Sequence, residues 1–206
     1  MKKVIACFLS LLLSVSMLVP ATNVSAASLL KTGSSGEDVA TLQTQLHKMG
    51  FFKTTVNGYY DRVTKQAIEK FQKERGLVVD GIAGPMTLGA VENINEIAHI
   101  VHGEARGETY EGQVAVAAVI LNRVESDKFP DSIKNVIYQE NAFSAVNDGQ
   151  YRLPPDHYAY RATIDALNGW DPSRGSTYYY NPDIATDEWI FTRTTVKSIH
   201  NHVFAR

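Results

Sequence analysis

Apolar residues between positions 28 and 91 recur at helical spacing and predict a compact module of three helices. In the first predicted helix, four apolar residues share one face: Val39, Leu42, Leu46 and Met49. Ser35 opens a Ser-x-x-Asp pattern, which we expect to cap this helix. Gly50 follows the last apolar position and ends the helix, because glycine readily adopts the backbone conformation found there.

Two similar turns precede the second and third predicted helices. Asn57–Gly58 comes before a helix that Asp61 caps and that has three inward apolar residues: Ala67, Ile68 and Phe71. Asp80–Gly81 comes before a short helix that begins at Pro85, where the fixed φ of proline suits the first helical position. In both units a threonine follows six residues after the glycine. The shared spacing indicates an internal duplication.

Residues 96–206 have the pattern of a second, mostly helical domain. Its most apolar segment, Val114–Leu121, predicts a central buried helix. An earlier helix is expected to begin at Asn95, directly after the short junction Glu92–Asn95, and to be interrupted by Gly103. A later helix is expected from about Asp156 to Asn168.

The end of the chain predicts a small β element. Thr177–Tyr180 and Trp189–Thr192 are rich in aromatic and β-branched residues and flank the turn residues Asn181–Asp183. This pattern is typical of a hairpin or of two paired strands. The predicted fold class is therefore mainly α with a small β element (α+β).

Residues 1–26 predict an export signal. Lys2 and Lys3 precede a predominantly apolar run, and Val24-Ser25-Ala26 fits a small-residue cleavage site. The run is short for a membrane span, and an uncleaved anchor is the alternative. Cys7 is the only cysteine, so the mature chain would have no disulfide and no thiolate metal site. We expect an exported protein without a stable membrane span after signal removal.

Composition narrows the classes of partner. Of the 206 residues, 44% are apolar and 10% are aromatic, which indicates a folded, core-forming chain. The formal net charge is −2, and no basic stretch occurs, which argues against nucleic acid as a partner.

The segment His102–Glu108 contains the leading candidate for chemistry, Glu104. A carboxyl group at the end of an apolar helix can face a cleft and keep its proton near neutral pH, as a general acid must. An arginine aimed at that carboxyl would lower its pKa and favour loss of the proton, so we expect Arg106 to point away, toward Glu108. From the spacing alone, a surface acid at a helix end remains the alternative.

A metal site is a second interpretation of the same region. It would draw on six nearby or histidine-rich positions: His99, His102, Glu104, Glu108, His200 and His202. Zinc amidases and peptidases use such groups. The spacing differs from His-Glu-x-x-His, so we predict no metal site.

The first module resembles the three-helix peptidoglycan-binding domain. The motifs that carry the resemblance are Leu30-Lys31-Thr32-Gly33-Ser34, Val39-x-x-Leu42-Gln43, Gly50-Phe51-Phe52, Asn57-Gly58, Thr64, Phe71-Gln72, Gly76-Leu77 and Asp80-Gly81. Two positions depart from the family pattern, because Asn57 replaces the usual aspartate and Leu88 stands where tryptophan is common. The resemblance implies peptidoglycan binding; a packing module that no longer binds glycan is the alternative.

Residues 96–206 resemble the germination-specific spore cortex-lytic enzymes, the SleB/CwlJ-like cell-wall hydrolases. The motifs are Ala98-x-x-Val101-His102-Gly103-Glu104-Ala105-Arg106-Gly107-Glu108, Tyr110-Glu111-Gly112-Gln113-Val114-Ala115-Val116-Ala117-Ala118-Val119, Leu121-Asn122-Arg123, Phe143-Ser144-Ala145-Val146, Gly149-Gln150, Ala166-Leu167-Asn168-Gly169, Tyr179-Tyr180-Asn181-Pro182, Trp189-Ile190 and Asn201-His202-Val203-Phe204. A signal, a binding module and a catalytic domain occur in that family in the same order. His200 is a departure, because glycine is usual there.

This resemblance implies a lytic transglycosylase with a lysozyme-like core and no cofactor. Such enzymes cleave the bond between N-acetylmuramic acid and N-acetylglucosamine and leave 1,6-anhydromuramic ends. By motif position, Glu104 is the acid and base. The implied substrate is spore cortex peptidoglycan rich in muramic δ-lactam, cut during germination, and the family suggests a co-produced partner protein. An inactive wall-binding protein and a metal-dependent cell-wall amidase are the alternative functions.

Seven further residues are candidates for sugar contacts: Ser144, Gln150, Tyr178, Tyr179, Tyr180, Asn181 and His202. Tyrosine rings can stack on sugar faces, although a strand places at most two of three consecutive side chains on one side. The asparagine can bond to an acetamido group, and the histidine can bond to substrate or orient Glu104. Ser144 and Gln150 are expected in a loop that lines the groove.

Overall fold

The computed structural model describes residues 29–206, which form seven α-helices and a small three-stranded sheet. The helices are α1 Glu37–Lys48, α2 Arg62–Glu74, α3 Pro85–Ala105, α4 Tyr110–Val124, α5 Ile133–Ile137, α6 Ser144–Asn147 and α7 His157–Leu167. The strands are β1 Tyr178–Tyr180, β2 Thr195–Ile199 and β3 His202–Ala205. Short 3-10 helices occupy Gln150–Arg152 and Ile190–Thr192. The expected signal, residues 1–26, lies outside the described residues. Among the helices described, none has the length and apolar character to cross a bilayer.

The first module is built from α1, α2 and the start of α3, and the predicted apolar faces are buried. Asp61 caps α2, as predicted, by accepting a hydrogen bond from the Thr64 amide at 2.9 Å. The predicted cap of α1 is wrong. Gly36 is the N-cap residue and has no side chain to cap the helix, and Ser35 lies outside the helix, paired with Tyr59 in an isolated β-bridge.

The predicted duplication has a physical counterpart in two buried glutamines, Gln43 and Gln72. Each carboxamide oxygen accepts from the two backbone amides of one turn, and each amide nitrogen donates to three oxygens. The first set comprises Asn57 and Gly58 as donors and Asn57, Tyr59 and Thr64 as acceptors. The second comprises Asp80 and Gly81 as donors and Asp80, Ile82 and Thr87 as acceptors. Each glutamine thus holds one turn against one helix start.

Helix α3 connects the two parts of the chain without interruption. The junction Glu92–Asn95 is helical, so the prediction of two separate helices is wrong. Buried apolar residues continue at helical spacing across the junction, among them Val91, Ile94 and Ile97. Lys48 lies 5.8 Å from the centre of the Tyr160 ring, which adds a contact between the module and α7.

The second part of the chain is arranged around α4, which packs against α3 and α7. Residues Val114–Ile120 are buried on every side, as the apolar run predicts. The sheet has the antiparallel order β1-β3-β2, with Tyr179 opposite Phe204.

The predicted partner of β1 is wrong, because part of Trp189–Thr192 forms a 3-10 helix and β1 pairs with β3 at the end of the chain. The Asn181 carbonyl accepts from the Ala185 amide at 2.9 Å, and this turn takes the chain away from β1.

We predict that Gln72→Leu destabilises the protein, because it removes the partner of the Gly81 amide and of the Thr87 hydroxyl, which are both buried. The expected loss in the free energy of unfolding is about 2–4 kcal/mol. Urea unfolding of the full chain measures it. Gln66→Leu, on the exposed side of α2, is the control and should change stability by less than about 0.5 kcal/mol. Equal effects of the two substitutions would contradict the role of the carboxamide.

Candidate active site

Glu104 lies in the last turn of α3, and its carboxylate is held by the start of α6. Its Oε1 atom accepts hydrogen bonds from the Ala145 amide at 2.6 Å and from the Ser144 hydroxyl at 3.0 Å. The Ser144 hydroxyl also lies 3.2 Å from Oε2. None of the ion pairs found among residues 29–206 includes Glu104. The carboxylate is therefore oriented by neutral donors.

Gly103 permits this approach and does not break the helix, contrary to the prediction. A methyl group at Gly103 would lie 2.5 Å from the Ala145 side chain and 3.7 Å from Gln150. Two such groups cannot be so close, so only glycine lets α6 and the following 3-10 helix contact α3 here. Ser144 is the first residue of α6, whereas a loop was predicted.

Tyr179 and Arg123 lie on the other side of the site. Burial raises the pKa of the Tyr179 phenol, and the nearby Glu104 carboxylate raises it further. Arg123 is buried at the end of α4 and donates to the carbonyls of Thr177 at 2.7 Å and Ala142 at 3.3 Å. Its guanidinium also stacks on three aromatic rings: Phe129, Phe143 and Tyr178.

Arg123 was not among the predicted site residues. Burial lowers its pKa, while Tyr179, Tyr178 and Glu104 act in the opposite direction, which indicates its proximity to the candidate acid. A signal for it exists in the sequence, because a charged residue that follows an all-apolar helical run must find partners inside the fold.

His202 is buried beside Tyr179, with 5.1 Å between the ring centroids. Its Nδ1 atom is buried without a hydrogen-bond partner in the described structure. Burial lowers the pKa of His202, and the carboxylates of Glu108 and Glu104 only partly oppose this. Burial therefore favours the neutral form of the imidazole.

Arg106 points away from Glu104, and its guanidinium donates to the carbonyls of His102 and Gly103. The predicted pairing of Arg106 with Glu108 is wrong. Glu108 accepts instead from His200 and Asn201, which lie in the turn between β2 and β3. The last turn of α3 leaves carbonyls without helical partners, and these attract the arginine.

The three tyrosines divide as strand geometry predicts. Tyr179 contacts His202 and Phe204, whereas Tyr178 and Tyr180 make edge-to-face contacts with Trp189 at 5.2 Å and Phe191 at 5.3 Å. Both partner rings are about half exposed and form, with the two tyrosines, an aromatic surface across β1 from Tyr179.

Asn181 and Gln150 do not contact the Glu104 carboxylate. The Asn181 side chain accepts from the Asp183 amide at 3.0 Å, and the Gln150 side chain donates to Asp148 at 2.6 Å. The structure thus brings Glu104, Ser144, Tyr179 and His202 together and leaves the other predicted sugar contacts around them.

The histidines and carboxylates considered for a metal site are not gathered at one place in the described residues. His99 Nδ1 lies 2.7 Å from the Tyr151 carbonyl, and His102 Nδ1 lies 3.7 Å from an Asp156 oxygen. Across residues 29–206, no three histidine, cysteine, aspartate or glutamate side chains are grouped so as to hold a metal ion.

Two family models match the chain. The model described as cell wall hydrolase matches residues 107–205, and the model described as putative peptidoglycan binding domain matches residues 35–91. The first match begins just after Glu104 and includes Ser144, Tyr179 and His202.

Similar proteins extend the likeness to nearly the whole chain. A spore cortex-lytic enzyme from Bacillus cereus is 39% identical over 250 aligned positions, covering 98% of this chain and 96% of the relative. Another, from Oceanobacillus iheyensis, is 36% identical and covers 86% of this chain and 87% of the relative.

Two solved structures resemble the second part of the chain. The catalytic domain of the Bacillus cereus SleB protein is 53% identical with a TM-score of 0.53, covering 55% of this chain and 89% of that domain. The catalytic domain of the germination-specific lytic transglycosylase SleB from Bacillus anthracis gives the same identity and TM-score, with 93% of that domain covered.

We predict that Gly103→Ala destabilises the protein, although alanine ordinarily favours a helix by about 1 kcal/mol over glycine. The clash with Ala145 should produce a net loss of about 1–2 kcal/mol in the free energy of unfolding. Gly107→Ala is the control, because a methyl group there meets nothing within 4 Å.

The double variant Gly103→Ala/Ala145→Gly removes the opposing methyl group and should recover at least half of the loss. Urea unfolding compares the four proteins. A stabilised Gly103→Ala variant, or a double variant that is no more stable than the single one, would contradict the proposed close contact.

Proposed function

The chain belongs to the spore cortex-lytic enzyme family, and from this membership we propose that it is a lytic transglycosylase that cuts peptidoglycan glycan strands. The bond cleaved joins N-acetylmuramic acid to N-acetylglucosamine, and the product has a 1,6-anhydromuramic end. The proposed reaction takes place during germination, when the spore cortex is degraded. The observation that supports this chemistry best is the position of a single carboxyl group, Glu104, held by Ser144 and the Ala145 amide.

One carboxyl group suffices for such a reaction. In the first step Glu104 gives its proton to the glycosidic oxygen, and the bond from the anomeric carbon to that oxygen breaks. The carboxylate then accepts the proton of the muramoyl 6-hydroxyl, and the 6-oxygen forms a bond to the anomeric carbon. The first proton stays on the oxygen of the departing sugar, the proton of the 6-hydroxyl restores the Glu104 carboxyl, and no water is consumed.

The contacts of Glu104 support different roles for its two carboxylate oxygens. Oε1 accepts from the Ala145 amide and from Ser144, whereas the contact of Oε2 with Ser144 is longer. We assign proton transfer to Oε2, because it keeps more free lone pairs, and assign orientation to Oε1. Proton transfer requires this fixed geometry within hydrogen-bond reach of the substrate.

The residues around Glu104 are proposed to bind the sugars. Tyr179 and His202 provide a phenol and an imidazole beside the acid. The remaining proposed contacts are Ser144, Gln150, Tyr178, Tyr180 and Asn181. The aromatic members offer ring faces to the sugar, and the amides suit its acetamido groups.

From the same family membership we propose three segments: a signal at residues 1–26, a peptidoglycan-binding domain at 28–91 and a catalytic domain at 96–206. In the binding module an apolar hollow of about 530 Å³ is lined by residues that include Leu77, Val78, Ile82 and Met86. We propose that this module binds cortex peptidoglycan containing muramic δ-lactam after export. A co-produced spore protein is a further proposed partner.

We predict that Glu104→Gln lowers the rate of cleavage by at least about a hundredfold, because glutamine cannot donate the proton. Cortex peptidoglycan is digested and the fragments are identified by mass spectrometry, while sedimentation with the polymer measures binding. Binding should not change. Glu92→Gln, an exposed substitution on the same helix, should keep the wild-type rate.

The products separate this proposal from its alternatives. Anhydromuramic ends support it, whereas reducing muramic ends would indicate hydrolysis. Free stem peptides, with activity removed by a chelator and restored by zinc, would indicate an amidase. An intact polymer with the wild-type protein would indicate an inactive wall-binding protein.

A further inference from the structure

A second carboxylate, Glu108, lies three residues after the end of α3 and is almost fully buried. Only 8% of its side chain is exposed. Its Oε2 atom accepts from the Asn201 amide at 3.1 Å and lies 3.0 Å from His200 Nδ1, and its Oε1 atom accepts from the Asn201 side chain at 3.1 Å. Both oxygens are therefore engaged by one turn.

This turn immediately precedes the strand that carries His202. Strand β3 begins at His202 and pairs with β1, which places Tyr179 opposite Phe204 and beside His202. On the other side, the Glu108 amide donates to the Ala105 carbonyl at 2.9 Å, at the end of the helix that carries Glu104. Glu108 thus connects the two walls of the proposed site.

The connection is strong because the carboxylate is charged in the folded protein. Burial raises the pKa of Glu108, but the Asn201 amide, the nearby His202, His200 and the Asn201 side chain together lower it below its usual value. Hydrogen bonds to a charged acceptor are about twice as strong as those between neutral groups. A buried carboxylate also requires its donors, which keeps the turn in place.

The backbone of His200 adds to this argument. Its φ is +50°, in the left-handed region where a non-glycine residue is uncommon. The resemblance to the family places glycine at this position, and here the imidazole compensates by contacting Glu108. The histidine therefore provides an additional donor to the same carboxylate.

Glu108 is poorly suited to act on the substrate itself. Its oxygens are occupied by His200 and Asn201, and its side chain is nearly inaccessible. The Glu111–Lys197 ion pair, at 2.6 Å, also joins α4 to the sheet, but it contacts β2 and not the turn. The two carboxylates therefore make separable connections.

We propose that Glu108 is a positioning residue: it fixes the turn at His200 and Asn201 and thereby holds His202 and Tyr179 against Glu104. The inference rests on the proposed function, because it concerns the same cleavage. It assigns to Glu108 the positioning of the two residues that face Glu104, His202 and Tyr179.

The test compares Glu108→Ala and Glu108→Gln with the control Glu111→Ala in the full chain. Glu108→Ala should lower kcat on soluble glycan strands by about tenfold or more, with a smaller change in KM. Glu108→Gln keeps one acceptor oxygen for Asn201 but loses the charge, so it should recover only part of that loss. Glu111→Ala should retain the wild-type kcat. His200→Gly removes one donor and should cost less than Glu108→Ala.

An NMR titration of His202 supplies a measurement that a loss of stability alone would not change. Removal of the Glu108 charge should lower the pKa of His202 in the folded Glu108→Ala variant, because that carboxylate raises it in the wild type. Glu111→Ala should leave it unchanged.

Three outcomes would overturn the proposal: wild-type kcat in Glu108→Ala, an unchanged His202 titration, or a loss in His200→Gly that equals or exceeds that of Glu108→Ala. These are distinct from failure of the proposed function, which would appear as cleavage by Glu104→Gln or as products without anhydromuramic ends.

Discussion

The close approach of α6 to α3 at Gly103 is the contact on which the site depends. Without a side chain at that position, the Ala145 methyl group can pack against the helix, and the Ala145 amide comes within 2.6 Å of Glu104. The same approach brings Ser144 to the carboxylate and Gln150 to the helix surface. A packing constraint, the absence of one methyl group, thus determines the hydrogen bonds of the proposed acid.

Helix α3 makes this site part of a larger rigid unit. Its first turns close the binding module, where Thr87 accepts from Gln72, and its last turn contains Glu104. A continuous helix rises about 1.5 Å per residue, so the distance from the module to the acid is fixed by the number of turns between them. In the proposed function, a glycan strand held by the module would be offered to the site at a set distance.

Local features were predictable from the sequence, and distant contacts were not. The Asp61 cap and the buried Val114–Ile120 run follow from spacing and composition alone. The pattern around Gly103 predicts a helix break, because nothing near it in the sequence shows that Ala145, 42 positions later, packs against it. Likewise Glu108 and His200 are 92 positions apart, and only the sheet brings them together. Strand β3 has four residues, too few for alternation to distinguish it from a loop.

The two arginines nearest the site, Arg106 and Arg123, bind groups other than the Glu104 carboxylate. Arg106 donates to the carbonyls at the end of α3, and Arg123 donates to Thr177 and Ala142 while stacking on aromatic rings. An arginine paired directly with a carboxylate strongly disfavours its protonated form. Because carbonyls and rings satisfy these guanidinium groups, a positive field remains near the site without an ion pair to Glu104. In the proposed mechanism, the Glu104 carboxylate is therefore left to its neutral donors and to the substrate.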